Sequence, residues 1–288
     1  MKLVAIDMDG TLLHSDRHIS TYTTEVIHAL QKDHYFVVAT GRSLTDARDI
    51  VHEAGITADG YVCANGAIVA DKHGHVLKEE RLDRETAVQV GTWLNDQKFY
   101  YHLSTSNGHY ASKDSYQYFL NELEDYANSH DDTDKVKEAI RTQADRQIKK
   151  MGLHTLRHPS DILNEDFTPY KFLVLSLFPE RLESIRNKWE LDEDLLFTSS
   201  GTDNVEIMPA GVEKGNGLEL ISKHLNVNIV DTFAIGDNYN DLSMFNTSGF
   251  SISMGNADDY IKSQTDATTD THDQDGVAKA IQKHVLSE

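Results

Sequence analysis

Cysteine, long apolar runs and positive charge are what this chain of 288 residues is short of. A single cysteine, Cys63, excludes an internal disulfide and fits a reducing cytoplasm. The longest apolar runs, such as Phe172 to Phe178, fall well short of the ~20 residues that a bilayer span requires. The opening residues reach Asp7 too soon for a secretory leader, so a cytoplasmic protein is expected. Lys and Arg number 27 against 47 Asp and Glu, a formal charge of −20. Nucleic acid and anionic membrane would be repelled at long range, and neither is expected as a partner. No protein partner is expected either. Internal repeats and low-complexity linkers are missing as well.

What is present begins with Leu3-Val4-Ala5-Ile6, a short apolar run that reads as a strand buried on both faces. Asp7-Met8-Asp9-Gly10-Thr11 follows it. Ser20 is placed to cap a helix from about Thr21 to Lys32, and Phe36 to Ala39 is a second buried strand ending at Thr40-Gly41-Arg42. Ser43 with Asp46 reads as a capping box for a helix closed by Gly55. Tyr61 to Ala64 is a third strand, turning at Asn65-Gly66 into a ribbon that turns again at His73-Gly74. Strand, helix, strand, helix, strand at this spacing predicts the α/β class, a doubly wound Rossmann-like parallel sheet.

From about Asp83 the rhythm changes to α+β. Helices are expected at 84–97, 116–129, 135–147 and 179–189, with strands near 99–103, 110–112, 154–156, 172–178, 196 and 205–207. The acidic stretch at Asp131 to Asp134 reads as solvated charge. Past Gly211 the α/β rhythm returns, with a helix to about Leu225, a strand at Phe233 to Ile235, another at Phe250 to Ile252, and a closing helix from Gly276 to Leu286. The expected organisation is a core of residues 1–82 and 200–288 interrupted by an inserted α+β domain of residues 83–199.

Open α/β sheets bind ligands beyond the carboxyl ends of their strands. Three expected strands end there in polar residues: Asp7 with Asp9, Thr40, and Asp237 with Asp241, while Lys214 enters on a helix N-terminal turn. Asp7 and Asp9 are two apart, so in extended chain they face one side and repel unless a cation intervenes or one keeps a proton. Four carboxylates, a hydroxyl and an ammonium suit Mg²⁺ and a phosphate, the inventory of phosphoryl transfer.

Asp7-Met8-Asp9-Gly10-Thr11, Ala39-Thr40-Gly41-Arg42, Gly211-Val212-Glu213-Lys214-Gly215 and Gly236-Asp237-Asn238-Tyr239-Asn240-Asp241 resemble the four ordered motifs of the haloacid dehalogenase superfamily. The position of the insertion narrows the resemblance to its Cof-type (class IIB) phosphatases. Only Met8 and Glu213 depart mildly from the pattern. The resemblance implies a Mg²⁺-dependent phosphatase working through an aspartyl phosphate on a small phosphorylated metabolite. Sugar phosphates, nucleotides, flavin precursors and pyridoxal phosphate all lie within its range. It also implies the roles. Asp7 is the nucleophile, and Asp9 the general acid and then base. Thr40, Gly41, Asn65, Lys214 and Asn240 hold the phosphoryl group. Asp7, Asp237 and the backbone carbonyl of Asp9 ligate the metal, supported by Asp241. The inserted domain would be a cap that selects the leaving group.

Blander readings stand beside these. Asp7 and Asp9 are also compatible with a strand-end turn, Thr40 with an ordinary turn residue, and Asn65-Gly66 with a hairpin turn. Arg42 reads as structural, bonding backbone near the site. His14 with His18, and His73 with His75, lack a third ligand and read as solvated. Phe99, Tyr100, Tyr101 and Tyr110 read as core of the inserted domain. The rival activities are a phosphomutase or phosphotransferase on the same core, and a non-catalytic phospho-ligand signalling module.

Overall fold

The computed structural model describes residues 1–129, 134–135, 137–138, 140–142 and 153–287. Strand β1 (Leu3–Ile6) has all four side chains at 0 % exposure, as its unbroken apolar pattern requires. Burying each of Leu3, Val4 and Ile6 is worth about 1.5–3 kcal/mol, which holds β1 in the sheet interior and fixes where Asp7 emerges. The helix Thr21–Leu30 follows, its N-terminus capped by the Ser20 hydroxyl, which accepts from the Thr23 N–H at 3.0 Å. Strand β2 (Tyr35–Ala39) leads into the helix Leu44–Glu53, capped by Ser43 through the Asp46 N–H at 3.1 Å. Strand β3 (Gly60–Cys63) turns into β4 (Ile68–Asp71), and β4 into β5 (Val76–Glu79).

The chain then enters a separate compact unit, Arg81–Ala210. It contains β6 (Tyr100–Thr105), β7 (Gly108–Ser112), β8 (His154–Leu156), β9 (Pro169–Leu175), β10 (Leu195–Thr198) and β11 (Asn204–Pro209), in the order β10-β11-β9-β6-β7-β8. All pairings here are antiparallel except β7 with β8. One face is apolar: Tyr101, Leu103, Phe172, Val174, Val205 and Ile207 form a core with Ala87, Val90 and Leu94 of the helix Arg84–Asp96 and Leu182 and Ile185 of the helix Pro179–Trp189.

Two expectations are corrected in this unit. The strand expected at 172–178 runs Pro169–Leu175, because proline is tolerated at a strand's first position and the chain is turned out after Leu175. Glu122, on the helix Ser115–Asn128, accepts from the Ser176 hydroxyl and the Leu177 N–H, both at 2.6 Å, and ends the ladder there. The boundaries expected at 82/83 and 199/200 fall at 80/81 and 210/211. The larger shift arises because β11 lies between β9 and β10 and cannot leave that sheet. The stretch 131–133 and most of the helix expected over 135–147 lie outside the described residues.

The other unit, Met1–Glu80 with Gly211–Glu288, resumes with the helix Lys214–His224 and strands β12 (Thr232–Gly236), β13 (Phe250–Ser253) and β14 (Ala267–Thr268). Its eight-stranded sheet has the order β14-β13-β12-β1-β2-β3-β4-β5, parallel from β14 through β3 and antiparallel at β4 and β5. Strand β14 and the short helix Asp259–Ser263 were not legible in the pattern. The closing helical run is Gly276–Ile281, continuing to Leu286 with wider turns. Among the described residues no helix is long and apolar enough to cross a membrane.

Candidate active site

Strand register brings the polar motifs together. Ile6 lies beside Ile235 on one side and Val38 on the other, so Asp7, Asp237 and Thr40 leave three adjacent parallel strands at the same end. The Asp7 N–H still bonds the Ile235 carbonyl at 3.0 Å, and the Thr40 N–H bonds the Val62 carbonyl at 2.8 Å. A fourth turn joins from β3, where Ala64, Asn65 and Gly66 all have positive φ (48°, 57° and 104°). It is therefore not the two-residue hairpin turn of the sequence pattern. The Ala64 N–H bonds the Arg42 carbonyl at 2.8 Å and the Asn65 N–H bonds the Thr40 carbonyl at 3.0 Å, holding this turn against the Thr40-Gly41-Arg42 loop.

Lys214, 0 % exposed, is the first residue of its helix. That helix packs closely on the helix Leu242–Thr247 because Gly215 has no side chain: a Cβ there would stand 2.5 Å from the Ser243 carbonyl oxygen. The Lys214 Nζ donates to Asp7 Oδ1 and to Asp241 Oδ1, each at 2.6 Å. Burial works against its charge, but the carboxylates of Asp241 and Asp7 outweigh burial and raise its pKa. Asp241 has no exposed surface and is fully engaged, since its Oδ2 accepts from the Asp237 N–H at 2.9 Å and the Asn238 N–H at 3.0 Å. Asp7 Oδ2 has no hydrogen-bond partner among the described residues. Burial raises the Asp7 pKa well above the carboxylate range; Lys214 opposes this, and Asp241 and Asp237 add to it.

Asp237 accepts from the Thr11 hydroxyl through Oδ1 at 2.8 Å. Gly10, at φ +81°, must be glycine here, because a Cβ would stand 2.5 Å from Asp237 Oδ2. Burial and then the Asp241 charge push the Asp237 pKa up to about 7. Asp7, Asp237 and Asp241 each offer an oxygen, and the three lie within 4.8 Å of one another. So close a set of oxygen donors, two of them with ionisation suppressed, fits Mg²⁺. Asp7 and Asp237 are the members with capacity to spare, Asp241 being spent on Lys214 and two backbone N–H groups.

Asp9 points elsewhere. Its exposed carboxylate takes a bidentate pair from Arg42, Nε to Oδ2 at 2.7 Å and Nη2 to Oδ1 at 2.6 Å. Desolvation opposes ionisation, but these bonds and the Arg42 charge outweigh it and hold the pKa low. The expectation that Arg42 bonds backbone is thus corrected: a planar two-donor fork matches a carboxylate better than a lone carbonyl. Thr40 is buried and accepts from the Arg42 N–H at 3.2 Å, with Gly41 half-buried beside it. Asn240 donates to Asn65 Oδ1 at 3.3 Å. His14 is not solvated as expected: it is 17 % exposed, with Nε2 3.2 Å from Asp275 Oδ1.

Three comparisons bear on this constellation. The family model for haloacid dehalogenase-like hydrolases matches residues 4–281. The chain belongs to that family. Phosphatase YwpJ of Bacillus subtilis is 32 % identical over 289 residues, covering 99 % of this chain and all of that one. The 5-amino-6-(5-phospho-D-ribitylamino)uracil phosphatase YwtE of the same organism is 29 % identical, covering 98 % and 97 %. The solved structure of a haloacid dehalogenase-like hydrolase from B. subtilis is 34 % identical and superposes with a TM-score of 0.83, covering 99 % of this chain and 100 % of that one.

Within this haloacid dehalogenase-like core the four motifs meet as the sequence suggested, and residues without an assigned role join them. Thr11 was in view as part of the first motif, but its bond to Asp237 depends on two strands distant in sequence. Asn256 donates to the Gly10 carbonyl at 2.9 Å and lies 3.4 Å from Asp237 Oδ2. It follows β13, whose carboxyl end is on the same side, so the strand-end rule carried a usable signal for it.

Proposed function

We propose that this phosphoric monoester hydrolase is Mg²⁺-dependent and passes the phosphoryl group of a small phosphorylated metabolite through an aspartyl phosphate on Asp7. The observation that carries the reading is the buried Lys214 ammonium bridging Asp7 and Asp241, with the Asp237 carboxylate against them. Three carboxylates around one ammonium is a surplus of negative charge that a structural site would not keep. Family membership and the similarity to two phosphatases support the same reading.

Asp7 Oδ2 attacks phosphorus while Lys214 fixes the other oxygen and balances charge. The bond from phosphorus to the ester oxygen breaks, and that oxygen takes a proton from Asp9. Asp9 then removes a proton from water, whose oxygen attacks the phosphorus of the aspartyl phosphate; Asp7 is regenerated and phosphate leaves. This role requires Asp9 to part from Arg42, because the paired carboxylate is ionised. Thr40, Gly41, Asn65 and Asn240 hold the equatorial phosphate oxygens. Mg²⁺, held by Asp7, Asp237 and the Asp9 carbonyl with Asp241 behind them, supplies charge neutralisation for the phosphoryl group. The unit Arg81–Ala210 is the cap that selects the leaving group. The single buried Cys63 supports a cytoplasmic setting.

The flavin precursor named for YwtE joins sugar phosphates, nucleotides and pyridoxal phosphate as a candidate substrate. A phosphate-release screen over these compounds tests the reading. At least one should yield free phosphate with Mg²⁺, stopping with EDTA, and acid-quenched enzyme should carry label on Asp7. Release indifferent to EDTA, or phosphate moved to a second hydroxyl without release, overturns it.

A further inference from the structure

We infer that Asn256 is a positioning residue that locks the Asp237 carboxylate to the loop after β1 and so sets the cation affinity of the site; this rests on the Mg²⁺ reading above. Its side-chain amide touches three segments. The Nδ2 group donates to the Gly10 carbonyl at 2.9 Å and reaches Asp237 Oδ2 at 3.4 Å, while Oδ1 accepts from the His272 N–H at 3.1 Å. These partners allow one amide orientation only. A backbone N–H must meet the oxygen, so the NH₂ group faces the two acceptors.

The chemistry of an amide matters at this place. Asp237 is held through Oδ1 by the Thr11 hydroxyl and through Oδ2 by Asn256, both neutral donors. Each orients the carboxylate without cancelling its charge, whereas Lys or Arg would compete with a cation for it. Gly10 completes the interlock, its Cα lying so close to Asp237 Oδ2 that no side chain fits. The Gly10 carbonyl and the Asp237 carboxylate therefore move as one piece when Asn256 is present. Asn256 itself is exposed, so its replacement leaves the core of the unit intact.

The test titrates Mg²⁺ into the metal-free protein and follows the thermal midpoint, with phosphate release measured in parallel. Asn256→Ala is expected to raise the apparent Mg²⁺ dissociation constant about 10-fold or more, the usual cost of losing an outer partner of a metal ligand. Its kcat should return towards the unsubstituted value at saturating Mg²⁺, with KM for the ester unchanged. A merely structural role would lower the midpoint and leave the Mg²⁺ constant in place, which overturns the inference. So does a kcat that saturating Mg²⁺ fails to restore. Should Asn256→Ala fold poorly, Asn256→Ser, which keeps a donor too short to span both acceptors, carries the same expectation. An unsubstituted protein that shows no Mg²⁺ response sinks the underlying metal reading itself. A normal response there with an equal response in the variant sinks only the role of Asn256.

Discussion

The two units bury charge in opposite ways. Among the described residues of Arg81–Ala210, buried Lys171 pairs with buried Glu206, at 5 % and 2 % exposure, and half-buried Arg181 pairs with buried Glu122. In the other unit a single buried ammonium, Lys214, faces Asp7 and Asp241, with Asp237 beside them. A matched pair completes itself and serves the fold. An unmatched set costs stability and is retained where a ligand completes it. The difference supports the proposed site at the core sheet without reference to any relative.

The largest effect expected from this contrast is on turnover. Asp7→Asn keeps the shape of the side chain but removes the nucleophile, and phosphate release should fall by more than about a thousandfold. Unchanged circular dichroism would show that the fold survives, and retained turnover would erase the distinction between the two units. Next come the ion pairs, read by denaturant unfolding. Lys214→Met leaves buried carboxylates uncompensated and should cost about 3–5 kcal/mol. Lys171→Met should cost a similar amount, yet adding Glu206→Leu should recover all but about 1 kcal/mol of it, or better, as apolar replacement of a matched pair does. If the double variant stays as unstable as the single one, the inserted pair is no mere structural element.

The smallest expected effect is in pH. Asp237 has its pKa raised from 3.8 to about 7, so its folded form resists ionisation. Its contribution to stability is complete below 3.8 and is lost as pH rises through 7. The core of EDTA-treated protein should accordingly weaken across that window, and Mg²⁺ should remove the slope. His102 behaves in the opposite sense. Burial, then His109 and Lys171, push its pKa from 6.5 down to about 3, so the inserted unit should weaken as pH falls from 6.5 through 3. Hydrogen exchange read separately in the two units distinguishes these slopes, and equal slopes in both would remove the contrast.

Much of this was legible beforehand, and for identifiable reasons. Strands buried on both faces announce themselves as unbroken apolar runs, as Leu3–Ile6 did, and helix starts announce themselves by a single hydroxyl, as Ser20 and Ser43 did. An apolar run marks a strand without marking its ends: the run Phe172 to Phe178 passes the end of β9 by three residues, because that end is set by Glu122, more than fifty residues away. The C-terminal boundary of the inserted unit was missed for a related reason. Val205 to Ile207 reads as a strand in isolation, but only pairing tells which sheet owns it.

The sequence by itself determined the doubly wound core, the insertion, which acids and hydroxyl stand at strand ends, and which lysine opens a helix, since each follows from periodicity and from residues adjacent in the chain. The tertiary structure alone decided that Arg42 grips Asp9, that Asp241 is spent on Lys214 and two backbone N–H groups, and that Thr11 and Asn256 hold Asp237. Those partnerships join residues up to 226 positions apart in the chain. Hydrogen bonds depend on tenths of an ångström, and a one-dimensional pattern carries no information at that scale.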